Sequence, residues 1–189
     1  MKIKLFTLLL LFIVCGTGGC SSDDDNANAS DLVNQLPEAT QTGENTAGAL
    51  VDGEPITPKG GGTTPNLTAF YQLLDGEYFF NVSLFRAGEN NILLGLDLFS
   101  NPGLIEKNNT YLLNVNPNQE GFGGAYTKRI LNESESFHFT DNEFTGELTI
   151  THLDEQNRIV SGTFWFDALN EEGEVVEVRE GRFDVTYSQ

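Results

Sequence analysis

Residues 146–168 read GELTITHLDEQNRIVSGTFWFDA and decide the fold class of this chain. Apolar and polar residues alternate on both sides of a central turn, as in half-buried β-strands. The inward phase comprises Gly146, Leu148, Ile150 and His152, then Val160, Gly162, Phe164, Phe166 and Ala168. Matching these two faces requires a loop of odd length, and Glu155-Gln156-Asn157 supplies three residues. The stretch therefore predicts an antiparallel hairpin with one buried face.

The alternation continues towards the C-terminus. Glu171-Glu172-Gly173 predicts a second three-residue loop, after which Val176 and Val178 point inward. Phe183, Val185 and Tyr187 follow with the opposite parity. A β-bulge at Gly181 would return these three side chains to the inward face. An ordinary turn at residues 179–181 is the alternative.

Two further hairpins are predicted earlier in the chain, at the two-residue turns Asp52-Gly53 and Asp75-Gly76. Pairing Leu74 with Glu77 across the second turn places apolar residues opposite one another along one face. More strands are expected at residues 92–99, 111–115 and 124–131, separated by Asn-Pro turns. These signals predict an all-β fold: one antiparallel domain over residues 45–189, built from hairpins as a β-sandwich or a barrel.

The N-terminus carries an export signal. Lys2 and Lys4 precede the apolar run LFTLLLLFIV at residues 5–14, which is too short to span a bilayer. The small residues at 17–19 then lead to Cys20, whereas apolar residues precede Cys15. We interpret residues 1–19 as a lipoprotein signal peptide that is removed. Cys20 then becomes the first residue and carries the lipid, whose palmitate-type acyl chains anchor the protein in the membrane. The alternative is ordinary signal cleavage beside an incidental cysteine.

Residues 20–44 are rich in acidic and amide side chains and predict a flexible acidic tether, with one short helical turn near residues 32–36. The whole chain has a formal net charge of −18, and loss of the signal peptide makes it more negative by removing two lysines. Such a charge disfavours nucleic acid as a partner. Without Cys15 the mature chain holds a single cysteine, so an intrachain disulfide is excluded.

Trp165 is the candidate binding residue. It lies between inward Phe164 and Phe166, so its ring should stand on the outer face of the sheet, close to Thr149, Thr163 and Asp167. An exposed ring with neighbouring hydroxyls and a carboxylate is suited to stacking on a sugar. The alternative is that a loop or a second layer covers the ring.

The sequence shows no catalytic motif. His138 and His152 are the only histidines, and neither has the converging ligands of a metal site. Residues 141–143 and 154–157 lack the spacing of calcium loops and are predicted to be solvated turns. We therefore expect no enzymatic activity, no metal and no cofactor.

Several segments carry a resemblance. Asp23, Asp24 and Asp25 after Cys20 resemble the surface-export signal of flavobacterial lipoproteins, which implies display on the outer leaflet of the outer membrane; a merely solvated spacer is the alternative. TGELTI at 145–150, SGTFWF at 161–166 and EGRFDVTY at 180–187, with LPEATQTG at 36–43 and LVDGEP at 50–55, resemble a flavobacterial lipoprotein family known only as a domain of unknown function.

Three functions compete at this point. The favoured one is a non-catalytic, surface-anchored binding or interaction module, whose partner is an outer-membrane protein or a glycan. The second is a carrier or sensor of apolar ligands inside a β-barrel, suggested by the fourteen phenylalanines. The third is a glycan-processing enzyme that uses two carboxylates.

Overall fold

The computed structural model describes residues 29–60 and 65–189. The predicted signal peptide, Cys20 and residues 23–25 lie outside the described residues. One short helix and eleven strands occupy these ranges: α1 Ala29–Val33, β1 Thr46–Val51, β2 Glu54–Ile56, β3 Leu67–Leu74, β4 Glu77–Ala87, β5 Ile92–Asn101, β6 Thr110–Leu113, β7 Gly121–Ile130, β8 Ser134–Phe139, β9 Gly146–Asp154, β10 Ile159–Leu169 and β11 Val175–Thr186. Within these described ranges, no helix has the length and apolarity needed to cross a membrane.

All the strands belong to one mostly antiparallel sheet with the order β2-β1-β11-β10-β9-β6-β7-β5-β4-β3. The sheet curls until its ends meet. The Tyr71 N–H in β3 donates to the Ser188 carbonyl at 2.9 Å, and the Ser188 N–H donates to the Ala69 carbonyl at 3.0 Å. Beyond β2, the Lys59 N–H donates to Phe85 of β4 at 3.2 Å. The all-β prediction is confirmed, and the hydrogen-bonded path closes on itself as a barrel.

The barrel encloses one apolar core. Phe80 and Phe166 are fully buried within it, and Phe164 and Phe183 pack with ring centroids 6.3 Å apart. The predicted register of the β3–β4 hairpin is confirmed from Leu67 opposite Leu84 to Leu74 opposite Glu77. Large rings on both walls fill the interior, so the alternate residues of each strand must face outward.

The β9–β10 hairpin differs from its prediction at the turn. Its loop has four residues, 155–158, with Arg158 at φ 55°. A bulge compensates for the even length, because Ser161 pairs with His152 whereas Gly162 pairs with Ile150. The extra residue moves Leu153 to the inward phase, where it packs against the core. The prediction that His152 points inward is therefore wrong.

The predicted change of parity within β11 is confirmed, and it is caused by a bulge. Phe164 pairs with Gly181 and Phe166 with Val178, so two residues of β11 oppose Trp165. The positive φ of 54° belongs to Glu180, one residue before the predicted bulge glycine. Gly181 has a steric role, since a Cβ there would lie 2.5 Å from the Phe164 ring.

The last residues of the predicted tether are attached to the barrel. Leu36 is buried, and the Asp184 carboxylate of β11 accepts hydrogen bonds from the residues that follow. These donors are Thr40 Oγ1 at 2.7 Å, Thr42 N at 3.0 Å, Gly43 N at 2.9 Å, Glu44 N at 3.1 Å and, from β10, Ser161 Oγ at 2.7 Å. Residues 36–44, predicted as the end of the tether, thus contact the barrel and supply donors to a buried carboxylate, which needs them.

Asp184 should make the stability of the domain depend on pH. Its burial alone would raise the pKa, but the hydrogen bonds from Thr40, Glu44 and Ser161 outweigh burial and lower the pKa to about 2. A lowered folded-state pKa stabilises the fold above the unfolded-state pKa and loses that contribution as pH falls. We expect Asp184→Asn to lower the free energy of unfolding by about 2 kcal/mol at pH 7. The wild type should lose a similar amount between about pH 4 and pH 2.

Urea unfolding of the full chain at several pH values measures both effects. Glu54→Gln, at an exposed position of β2, is the matched control and should change neither stability nor its pH profile. An Asp184→Asn variant as stable as the wild type at pH 7 would show that the carboxylate does not hold the N-terminal segment.

Candidate functional site

Trp165 stands on the outer face of β10, as predicted. Thr163 and Asp167 share that phase, and the neighbouring strand places Thr149 opposite Thr163 and Glu147 opposite Trp165. Trp165 is 38% exposed, so the described chain leaves part of the residue accessible. The alternation of β10 is the cause, since Phe164 and Phe166 take the core positions on either side.

The ring forms part of an open surface groove of about 560 Å³, which we call the Trp165 groove. It crosses β9, β10 and β11, and Ala39 of the attached N-terminal segment closes one side. Its lining residues are Ala39, Glu147, Thr149, Thr163, Phe164, Trp165, Glu180, Gly181 and Arg182. The groove thus combines an aromatic surface with hydroxyl, carboxylate and guanidinium groups.

Two polar contacts hold the indole in place. Trp165 Nε1 donates to Glu147 Oε2 at 3.4 Å, and the Arg179 guanidinium carbon lies 5.6 Å from the ring centroid. A guanidinium at that distance is attracted by the face of the indole ring. Both contacts restrict the ring before any ligand arrives, which lowers the entropy cost of binding.

Asp167 lies on the same face as Trp165 but beside the groove. Its Oδ1 lies 2.6 Å from Nη2 of Arg179, and Asp167 is absent from the lining of the Trp165 groove. Arg179 thus contacts both Asp167 and the Trp165 ring, and a role of Asp167 in ligand binding stays a prediction. Thr149 does line the groove, and its Oγ1 lies 2.8 Å from Thr110 Oγ1 of β6.

The residues missed in the sequence lie at the bulge. Arg179 and Glu180 together oppose Trp165, and Arg182 lines the groove beyond them. The parity change between Val178 and Phe183 was the available signal. It implied an extra residue in β11, and locating that residue opposite Trp165 would have placed Arg179 and Glu180 beside the indole ring.

The two histidines and the two acidic turns each contact neighbouring groups of the protein. His138 is buried beside Tyr126, and that burial lowers its pKa, while His152 Nδ1 lies 3.5 Å from Lys107 Nζ. Asp141 and Asp154 accept hydrogen bonds from the backbones of their own turns, as expected of solvated turns. Among the residues that the structure describes, no three potential ligands are grouped as a metal site requires.

One carboxyl group has a raised pKa. Burial raises the pKa of Asp97, against hydrogen bonds from Ser83 and Asn81 that lower it. Asp97 lies between the core residues Leu96 and Leu98, so it faces outward from β5. Two carboxylates flank the scissile bond in glycoside hydrolysis, whereas the hydrogen-bond partners of Asp97 are the side chains of Ser83 and Asn81.

Comparison with known proteins gives one family. Residues 104–185 match the model of a family described as "Domain of unknown function (DUF6252)". Comparisons with curated proteins and with solved structures find no match. The matching segment begins just before β6 and ends within β11, so it contains β8 and the strands that form the Trp165 groove. Residues 104–185 therefore correspond to a domain of unknown function.

Proposed function

We propose that this protein is a lipid-anchored lipoprotein of the outer membrane whose barrel is a non-catalytic, glycan-binding module. The observation that carries the proposal is the partly exposed Trp165 ring in an open groove with two threonine hydroxyls. A sugar has apolar C–H faces and a hydroxyl rim, and an indole beside hydrogen-bonding groups is complementary to both.

The charges of the groove indicate the kind of glycan. Glu147 and Glu180 line it together with Arg182, and the whole chain carries a net charge of −18. A polyanionic saccharide would be repelled by that field. A neutral saccharide uses the same carboxylates and guanidinium as hydrogen-bond partners, so we assign the groove to neutral glycans.

The sequence around Cys20 supports the lipid anchor. Cys20 follows three small residues, and Ser21 and Ser22 separate it from the acidic run 23–25. The acidic protein surface repels anionic head groups, which leaves lipid on Cys20 as the attachment. The resemblance to flavobacterial lipoproteins supports display on the cell surface, where extracellular glycans are accessible.

The two other functions have weaker support. A carrier of apolar ligands needs an internal cavity, whereas Phe80, Phe166 and other core residues occupy the barrel interior. The Trp165 groove opens to the surface instead. A two-carboxylate enzyme needs a close pair of acids in a cleft, and Asp97 faces outward beside Ser83.

The lipid anchor is tested with the two cysteines. We expect Cys20→Ser to abolish incorporation of labelled palmitate and to release the protein from the membrane fraction. Cys15→Ser is the matched control, because Cys15 leaves with the signal peptide, and it should keep both label and membrane attachment. In the wild type, protease added to intact cells should remove the protein. Labelling that persists in Cys20→Ser would contradict the assignment.

The glycan site is tested by replacing its aromatic surface. The full chain, purified in detergent, is screened on an array of neutral oligosaccharides, and affinity for the strongest binder is measured by calorimetry. We expect Trp165→Ala to weaken binding at least about tenfold, and Trp165→Phe to retain part of the affinity.

Phe137→Ala is the matched control for this experiment. Phe137 is 44% exposed, compared with 38% for Trp165, and lies on β8 outside the Trp165 groove. Its loss should leave glycan affinity unchanged. An array on which the wild type binds nothing, or equal affinity of Trp165→Ala and wild type, would overturn the proposal.

A further inference from the structure

β8 is a strand with one open edge. Its residues from Ser134 to Phe139 pair with β7 over their whole length. On the opposite side, the contact with β10 is limited to Phe139 opposite Leu169. In the described part of the chain, no other strand pairs with β8, so most of the backbone along that edge has no strand partner.

The hydrogen-bond pattern identifies the backbone groups at this edge. The Thr140 N–H donates to the Gly124 carbonyl at 3.0 Å, which continues the β7–β8 register by one residue. Hydrogen-bonded pairs alternate along an antiparallel ladder, so His138 and Ser136 also bond to β7. Glu135 and Phe137 therefore direct their N–H and C=O groups away from β7, towards the open edge.

A groove of about 610 Å³ lies along the edge, and we call it the β8 groove. One wall is β8, with Phe137 and Phe139 in parallel orientation at a centroid distance of 6.3 Å. The opposite walls are the loops at residues 116–118 and 169–172. Asn170 Nδ2 donates to Ser136 Oγ at 3.1 Å, between Glu135 and Phe137, so this side-chain contact must open when a strand lies beside β8.

The charge of the groove is negative. Of the described residues that line it, four are acidic and none is basic. Glu135 pairs with Arg129 of β7, which leaves Asp141, Glu171 and Glu172 as the uncompensated charges. A second copy of this chain would bring identical acidic rims together, so like-charge repulsion disfavours pairing of two β8 edges.

We propose that the β8 groove binds an extended, basic peptide segment of another protein, which adds to the sheet as a strand beside β8. Backbone hydrogen bonds to Glu135 and Phe137 supply the pairing, as in β-strand addition at exposed sheet edges. Alternate apolar side chains of the segment pack on Phe137 and Phe139, and its basic side chains meet the acidic loops. This surface is separate from the Trp165 groove, so either proposal stands without the other.

Three synthetic octapeptides test the proposal by calorimetry with the full chain. They are a capped alternating Lys-Val peptide, its Glu-Val counterpart, and a Lys-Val peptide N-methylated at alternate residues on its pairing edge. We expect the first to bind at least about tenfold more tightly than either of the others, and to weaken as salt is added. Amide exchange of Phe137 should slow when the first peptide binds.

Two substitutions at Glu135 separate backbone pairing from charge. Glu135→Pro removes the N–H at the open edge, where proline is tolerated, and should abolish binding. Glu135→Gln loses the same ion pair with Arg129 but keeps the N–H, and should still bind. Phe137→Ala should weaken binding, whereas Trp165→Ala should leave it unchanged.

Three results would overturn the proposal. The first is equal affinity for the Lys-Val and Glu-Val peptides. The second is a Glu135→Pro variant that folds, by its circular dichroism and melting temperature, and still binds the Lys-Val peptide. The third is a dimer in sedimentation that Glu135→Pro dissociates, which would assign the edge to a second copy of this chain.

Discussion

The backbone hydrogen bonds between β3 and the segment after β11 are the contacts on which the rest of the structure depends. Through Tyr71, Ser188 and Ala69 they join β3, at one end of the sheet, to the chain that follows β11 near the other end. A closed sheet has a single interior, and large side chains must fill it. Closure therefore directs alternate residues of every strand to the outside, and Trp165 is one of them.

The N-terminal segment is joined to this barrel at one buried charge. Asp184 lies on the outward phase of β11 between Phe183 and Val185, yet it is only 1% exposed because residues 40–44 cover it. The same attachment places Ala39 at the Trp165 groove. The segment that leads from the proposed lipid anchor thus borders the proposed glycan site, while the β8 groove shares no lining residue with it.

The sequence predicted those parts of the fold that depend on local pattern. The register of β3 and β4 follows from Asp75-Gly76 and the alternation on either side, and it is confirmed residue by residue. Trp165 was placed correctly because its neighbours on both sides are core phenylalanines. The sequence does not distinguish a closed barrel from a sandwich, since no local pattern states which strand meets Ser188.

The features that the sequence did not predict depend on contacts between residues far apart in the chain. β8 was not predicted because the strand is short and the residues on its inward phase, Ser134, Ser136 and His138, are polar, whereas Phe137 and Phe139 lie on its outward phase. Asp184 in a strand has the pattern of a solvated residue until the donors from residues 40–44 are known. Arg179 reaches Trp165 only because a bulge places two residues opposite the ring, and Asp167 turns towards Arg179 for the same reason.

Native-state hydrogen exchange of the Tyr71 and Ser188 amides tests the closed barrel most directly. If the hydrogen bonds between β3 and the segment after β11 close the sheet, these amides should exchange only through global unfolding, with the same free energy as the amides of β4 and β5. Exchange of both amides through a low-energy local opening, while β4 and β5 stay protected, would contradict closure and leave an open sheet.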